Sequence, residues 1–103
     1  MLTTNEIRES ITPVLQKHAV EQAFLFGSYA RGTNNARSDV DLMIIMNTAK
    51  RFLDRIAEFD ELYDAMPGMA IDLLVYNKKE LDQISHRAFI KTILKEGICL
   101  YGQ

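Results

Sequence analysis

The chain has 103 residues, of which 48% are hydrophobic, and this size predicts one compact domain over residues 1–103. Twelve Lys and Arg residues against 14 Asp and Glu residues give a net charge of −2, which argues against a general attraction to nucleic acid. Cys99 is the only cysteine, which excludes an intramolecular disulfide framework and a zinc site made mainly of thiolates. The first residues lack a signal-peptide pattern and no apolar run approaches the roughly 20 residues that span a bilayer, so we expect a soluble, cytoplasmic protein.

The first predicted element is a helix with one apolar side. Thr3 or Thr4 can cap it, and Glu6 stands three residues after Thr3 as in a capping box. The apolar residues at helical spacing are Ile7, Ile11, Val14 and Leu15. Pro13 leaves two alternatives open, because the helix can kink there or Thr12 can cap a second short helix that begins with Pro13.

A strand, a turn and a second strand follow. The run Gln22–Phe26 ends at Gly27, as a strand that enters a tight turn does. Residues 28–32 can begin a short helix, which would point unpaired backbone N–H groups at an anion near Gly27 and Ser28. Residues 39–46 are predicted to form the second strand, whose near-continuous apolar part is typical of a strand buried on both faces.

A long helix is predicted next, from a cap at Asn47 or Thr48 to a stop at Pro67-Gly68. Its apolar stripe consists of Phe52, Ile56, Phe59, Tyr63 and Met66. The opposite face, which we expect to be solvated, carries Lys50, Arg51, Asp54, Arg55, Glu58 and Glu61.

The last part of the chain continues the alternation of strand and helix. Residues 69–76 read as a third strand, and a helix after Asn77 is expected to end at Gly97 before a short last strand over residues 98–101. The apolar positions of that helix are Leu81, Ile84, Phe89, Ile93 and Leu94. The fold class is therefore α/β or α+β, with a small mixed sheet of three or four strands flanked by helices. Strand order stays open, although a helical crossover allows the second and third strands to be parallel neighbours.

Three aspartates lie in or beside these apolar strands. Asp39 and Asp41, at i and i+2, project from the same face about 7 Å apart, given ~3.4 Å per residue. Asp72 interrupts the third strand and can join them if that strand neighbours the second. Three carboxylates that close repel one another unless cations lie between them, and hard oxygen ligands favour Mg²⁺ or Mn²⁺. Two such ions can hold the attacking and leaving oxygens of a nucleotidyl transfer.

The turn after the first strand can hold the phosphates of a nucleotide. Gly27 allows a close backbone approach, and Ser28 supplies a hydroxyl and an N–H. Arg31 stays open between a phosphate contact and an ion pair with a nearby carboxylate. Taken singly, Asp39 can be a turn residue and Asp41 a solvated strand residue, but their joint spacing with the Gly-Ser turn favours a nucleotide and metal site.

Gly27-Ser28, ten residues and then Asp39-x-Asp41 resemble the signature of the DNA polymerase β-like nucleotidyltransferase superfamily, and the chain looks like its minimal nucleotidyltransferases over nearly its whole length. The resemblance implies that superfamily's fold. It also implies that Gly27 and Ser28 contact the nucleotide phosphates and that Asp39 and Asp41 bind the metals. Asp72 would complete the metal site and help to activate the acceptor.

The resemblance further implies a protein partner. Minimal nucleotidyltransferases of bacteria and archaea are commonly the antitoxin of a pair with a HEPN-domain ribonuclease toxin. By this resemblance the chain would use Mg²⁺ and transfer AMP from ATP to a tyrosine of the toxin, which inactivates it. One alternative is an antitoxin that neutralises its toxin by binding alone. Another is a transferase for a small-molecule acceptor, although the chain has no room for a domain that encloses one.

Overall fold

A computed structural model describes residues 2–102 and shows a four-stranded mixed sheet with helices on both faces. The elements are α1 (Thr4–Lys17), β1 (Gln22–Phe26), α2 (Ser28–Arg31), β2 (Val40–Ile45), α3 (Phe52–Ala57), α4 (Glu61–Ala65), β3 (Ile71–Tyr76), α5 (Lys78–Ile84), α6 (Ala88–Glu96) and β4 (Ile98–Tyr101). The strand order is β3-β2-β1-β4, with β1 antiparallel to β2 and β4, and β2 parallel to β3. The predicted fold class is confirmed, and the second and third strands are parallel neighbours, an arrangement that the sequence left open. Within residues 2–102 every helix is too short or too polar to cross a membrane.

Helix α1 is one continuous helix that contains Pro13. Thr3 caps it, because its Oγ1 accepts from the Glu6 N–H at 3.1 Å while Glu6 Oε1 accepts from the Thr3 N–H at 2.9 Å. Thr12 does not cap a second helix, since its hydroxyl donates to the Arg8 carbonyl at 2.6 Å. The four predicted apolar residues, Ile7, Ile11, Val14 and Leu15, are all buried. Their burial against the sheet stabilises the helix despite the hydrogen bond that Pro13 cannot donate.

The two strands that carry aspartates are shorter than predicted. β2 begins at Val40, whose N–H donates to the Ala70 carbonyl at 2.9 Å, so Asp39 precedes the strand instead of beginning it. β3 begins at Ile71, whereas the prediction began at residue 69. Leu42 and Met43 are both fully buried although they face opposite sides of the sheet, as predicted for a strand covered on both faces.

The prediction of one long helix between β2 and β3 is wrong, because this part of the chain forms two separate helices, α3 and α4. The break places Phe59 and Leu62 in the core with no exposed surface, while Phe52 and Tyr63 remain 39% and 45% exposed. One straight helix would have held Phe52, Phe59 and Tyr63 on one side. Neither Asn47 nor Thr48 is the cap, which is Arg51 without a side-chain hydrogen bond to the backbone.

Arg55 was predicted to be solvated but is 5% exposed. Its Nε donates to the Lys50 carbonyl at 2.7 Å and its Nη1 to the Val75 carbonyl at 3.1 Å. Nη1 and Nη2 also bind the two carboxylate oxygens of Glu80 at 2.6 and 3.1 Å. These hydrogen bonds from Arg55, together with one from the Asn77 backbone, hold the pKa of Glu80 below its usual range. The planar guanidinium therefore joins α3 to β3 and α5, which explains why a charged group can be buried here.

The predicted C-terminal helix is also two helices, α5 and α6. Asn77 caps α5, because its side chain accepts from the Glu80 N–H at 2.8 Å. Ile93 is buried as predicted, but Phe89 is 58% exposed and Leu94 is also exposed. Gly97 ends α6 as predicted, in extended rather than left-handed backbone. Glycine suits this position because a Cβ there would overlap the carbonyl oxygen of Ile93.

The sheet separates two apolar cores. The larger core packs α1, α2 and α4 on the face that carries Leu25, Leu42 and Ile44. The smaller core packs α5 and α6 on the face that carries Met43 and Ile45. Asp41 lies on this second face, since it precedes Met43 by two residues in β2. The candidate site therefore lies on the face that α6 covers.

Candidate active site

The side chains of Phe26, Asp41 and Asp72 form a row across the sheet where β2 and β3 begin. Asp41 lies opposite Phe26 of antiparallel β1 on one side and opposite Asp72 of parallel β3 on the other. The strand pairing thus brings together two carboxylates that are 31 positions apart in the sequence. Asp72 is exposed to solvent, while Asp41 is partly buried.

The surroundings of Asp41 favour its protonated form. Burial, the charge of Asp72, a side-chain hydrogen bond with Asp72 and the charge of Asp39 raise the pKa of Asp41 to about 6, and Arg31 opposes this rise. Two acidic side chains that share a hydrogen bond are a common origin of such a rise. A cation bound between them would stabilise the ionised pair.

Gly27 occupies a backbone conformation that other residues rarely adopt, with φ 73° and ψ −151°. A Cβ at this position would overlap Oδ2 of Asp41. Glycine therefore lets the backbone of the turn lie directly against the carboxylate. Ser28 begins the predicted short helix, α2, whose Arg31 N–H donates to the Gly27 carbonyl at 3.1 Å.

Arg31 extends from α2 towards α6. Its Nη1 lies 4.0 Å from Oε2 of Glu96, and both side chains are about half exposed. An ion pair that long and that exposed contributes little to stability. The guanidinium thus has a carboxylate neighbour and is still accessible to an anion, so both alternatives from the sequence are compatible with its position.

Asp39 is exposed in the loop before β2, close enough for its charge to raise the pKa of Asp41. Among residues 2–102, no three His, Cys, Asp or Glu side chains are grouped closely enough to hold a metal ion. The charges of Asp39 and Asp72 both act on Asp41, but the three side chains do not form a complete set of ligands. Their oxygen chemistry and the raised pKa of Asp41 fit a hard divalent cation.

A cavity of about 590 Å³ opens above the row, between the sheet and α6. Its lining consists of Phe26, Gly27, Arg31, Asp41, Asp72, Leu73, Leu74, Phe89, Thr92, Ile93 and Glu96. This volume is in the range of small-ligand pockets. Sequence reasoning missed the residues from α6, because their spacing identifies a helix but not the part of the sheet that the helix covers.

Comparison with known proteins identifies similar sequences and folds. The sequence profile of the family described as "Polymerase beta, Nucleotidyltransferase" matches residues 9–103. A candidate protein adenylyltransferase of Methanocaldococcus jannaschii is 38% identical over 76 residues, which cover 74% of this chain and 81% of that protein. The protein adenylyltransferase MntA of Thermococcus cleftensis is 30% identical over 102 residues, which cover 95% of this chain and 96% of that protein.

A solved structure of the tri-AMPylated HEPN toxin of Shewanella oneidensis in complex with an MNT antitoxin also resembles this chain. The matched chain has a TM-score of 0.67 and 16% identity, and the match covers 98% of this chain and 74% of that one. At this identity the likeness concerns the fold alone. It agrees with the fold that the Gly-Ser and Asp-x-Asp motifs predicted.

Proposed function

The chain belongs to the polymerase β nucleotidyltransferase family, and from this membership we propose that it is a protein adenylyltransferase that transfers AMP from ATP to a tyrosine of a HEPN toxin. The observation that carries the proposal is the pairing of Asp41 with Asp72 directly against Gly27. The name of the Thermococcus relative supports a protein acceptor. The AMPylated toxin in the Shewanella complex supports a HEPN partner.

Asp39, Asp41 and Asp72 would hold Mg²⁺, or Mn²⁺ in its place. Bound cations would neutralise the phosphates of ATP and the pyrophosphate that leaves. The three carboxylates come from one loop and two adjacent strands, so rigid backbone hydrogen bonds set the positions of Asp41 and Asp72. Ionisation of Asp41 is the step that prepares the site, because its pKa of about 6 lets a proton compete for the same oxygens.

The chain's own groups bind the triphosphate on the other side of Asp41. Gly27 lets the backbone approach the phosphates closely, and Ser28 offers a hydroxyl and an N–H. Arg31 binds a phosphate oxygen in exchange for its long contact with Glu96. These contacts orient the α-phosphate towards the acceptor.

Asp72 is exposed, so the hydroxyl of an acceptor on another protein can reach it. Asp72 accepts the proton of the tyrosine hydroxyl, and the phenolic oxygen attacks the α-phosphorus of ATP. The new bond joins the tyrosine oxygen to the α-phosphorus, and the bond from that phosphorus to the bridging oxygen breaks. AMP is then attached to the tyrosine, and pyrophosphate leaves with the electron pair of the broken bond.

The toxin is proposed to complete the site by supplying the acceptor hydroxyl. We propose that residues 1–103 act as one catalytic domain in the cytoplasm, without direct nucleic-acid contact, and that the toxin forms the remaining wall of the site. The open, solvent-accessible position of Asp72 supports an acceptor that arrives from outside.

The test uses ATP labelled at the α-phosphate and the protein encoded in the neighbouring reading frame as candidate acceptor. We expect labelled toxin with Mg²⁺, loss of label with Asp41→Asn or Asp72→Asn, and normal labelling with Asp64→Asn, an exposed aspartate of α4. Mass spectrometry should locate the label on tyrosine. Toxin that is bound and inhibited without label would instead show a non-catalytic antitoxin. Label on a small molecule without any protein partner would show the third alternative.

A further inference from the structure

The cavity has an apolar part that the proposed transfer chemistry does not use. Its polar groups come from Gly27, Arg31, Asp41, Asp72, Thr92 and Glu96. Its apolar lining consists of Phe26, Leu73, Leu74, Phe89 and Ile93. A nucleoside triphosphate has the same division, since a flat base with apolar faces is joined to a strongly charged phosphate chain.

Phe89 is the most accessible large side chain of the apolar part, with 58% of its surface exposed. Its ring meets that of Phe26 at a centroid distance of 5.9 Å and an interplanar angle of 84°. An edge-to-face contact of this kind occupies at most one face of each ring. At least one face of Phe89 is therefore not used by Phe26, in a cavity large enough for a ligand.

The two ends of the cavity are separated along α6. Phe89 and Glu96 are seven residues, or about two turns, apart, so they lie on the same side of the helix at an axial distance of roughly 10 Å. Glu96 faces Arg31, the candidate phosphate ligand, whereas Phe89 faces Phe26. This arrangement suits an elongated ligand that carries its charge at the Arg31 end and its flat apolar group at the Phe89 end.

We propose that Phe89 is the stacking platform for the nucleobase, an inference that rests on the proposed function. Ile93 and Phe26 complete the apolar wall beside it. Stacking on an aromatic ring tolerates every base, because every base has a π face. Phe89 therefore favours nucleotides over bare polyphosphates and does not by itself select adenine over guanine.

The first experiment exploits the absence of tryptophan from the sequence. Phe89→Trp introduces a single indole at the platform, and Leu94→Trp introduces one at an exposed position of α6 outside the cavity. We expect ATP and GTP to quench the fluorescence of Phe89→Trp, and inorganic tripolyphosphate to leave it unchanged. Leu94→Trp should respond to none of them.

The second experiment measures binding by calorimetry to the chain alone. Phe89→Ala should weaken ATP binding by roughly 5- to 150-fold, the range for loss of one base–aromatic stack, and should leave tripolyphosphate binding unchanged. Leu94→Ala should leave both affinities unchanged. If Phe89→Ala binds ATP as the wild type does, Phe89 does not stack on the nucleobase, and its exposed ring is instead available to contact the acceptor protein. If the wild type binds neither ATP nor tripolyphosphate, the proposed function fails together with this inference.

Discussion

Replacement of Asp41 by asparagine should stabilise the protein while it abolishes nucleotidyl transfer. Asp41 has a pKa of about 6 in the folded chain, against 3.8 for an unperturbed aspartate. Between these two values the folded state binds more protons than the unfolded state, so stability falls as the pH rises from about 4 to 6. Above pH 6 the ionised carboxylate destabilises the fold, and Asp41→Asn removes that charge.

The size of this effect follows from the difference between a pKa of 3.8 for an unperturbed aspartate and about 6 for Asp41. At about 1.4 kcal/mol per unit the upper bound is about 3 kcal/mol. Because Asp41 is only partly buried, solvent screens part of the effect, and we expect about 1 kcal/mol at pH 8. For a domain of this length that corresponds to an increase in Tm of about 4–8 °C.

The assay is thermal unfolding in EDTA at pH 4 and at pH 8. Asp41→Asn should raise the Tm at pH 8 and change it little at pH 4, where the wild-type carboxyl is protonated. Asp64→Asn, at an exposed position, should give no comparable pH-dependent gain. Added Mg²⁺ should raise the Tm of the wild type more than that of Asp41→Asn. A lower Tm of Asp41→Asn at pH 8, or an equal gain at both pH values, would show that the ionised Asp41 carboxylate does not destabilise the fold.

Three further predictions concern the turn, the buried guanidinium and the pH of the reaction. Gly27→Ala should lower the free energy of unfolding by more than the ~1–3 kcal/mol that a strained backbone conformation costs, and it should also abolish ATP binding. Gly68→Ala, with positive φ but open space, should show the backbone strain alone in urea unfolding, and equal losses would contradict the overlap at Gly27. Arg55→Lys should lower the free energy of unfolding by about 2–3 kcal/mol, because lysine lacks the planar guanidinium fork that binds Glu80. Lys17→Met, which removes an exposed ion pair, should lower it by less than about 1 kcal/mol. Mg²⁺-supported transfer should decline as the pH falls below about 6, as the proton on Asp41 displaces the cation, and a rate that is flat from pH 5 to 8 would argue against this competition.

The local features of the chain were predictable because they depend on neighbours in the sequence. The capping box of Thr3 and Glu6, the strand that ends at Gly27 and the apolar run of β2 are each set by spacing over a few residues. The Gly-Ser turn and the Asp-x-Asp pair can likewise be recognised from the spacing of a few neighbouring residues. For these reasons the alternation of helix and strand and the family resemblance could both be inferred before the fold was known.

The helix breaks and the burial of Arg55 were not predictable in this way. The residues between α3 and α4 continue a helical pattern, and the break becomes favourable because it buries Phe59 and Leu62 against the rest of the fold. Arg55 is one of several charged residues on its helix, and its burial is favourable because the carbonyl of Val75 and the carboxylate of Glu80 accept its hydrogen bonds in addition to the nearby carbonyl of Lys50. Both outcomes depend on groups that come from distant parts of the chain.

The candidate phosphate and metal ligands Gly27, Ser28, Asp39 and Asp41 could be recognised without the fold, since they lie within 15 consecutive positions. The remaining parts of the site come together through long-range contacts. Parallel pairing of β2 with β3 puts Asp72 beside Asp41, and the packing of α6 on the sheet puts Phe89 over the same cavity. Strand register and helix packing are set by the burial of whole faces, and no short stretch of sequence specifies which faces meet.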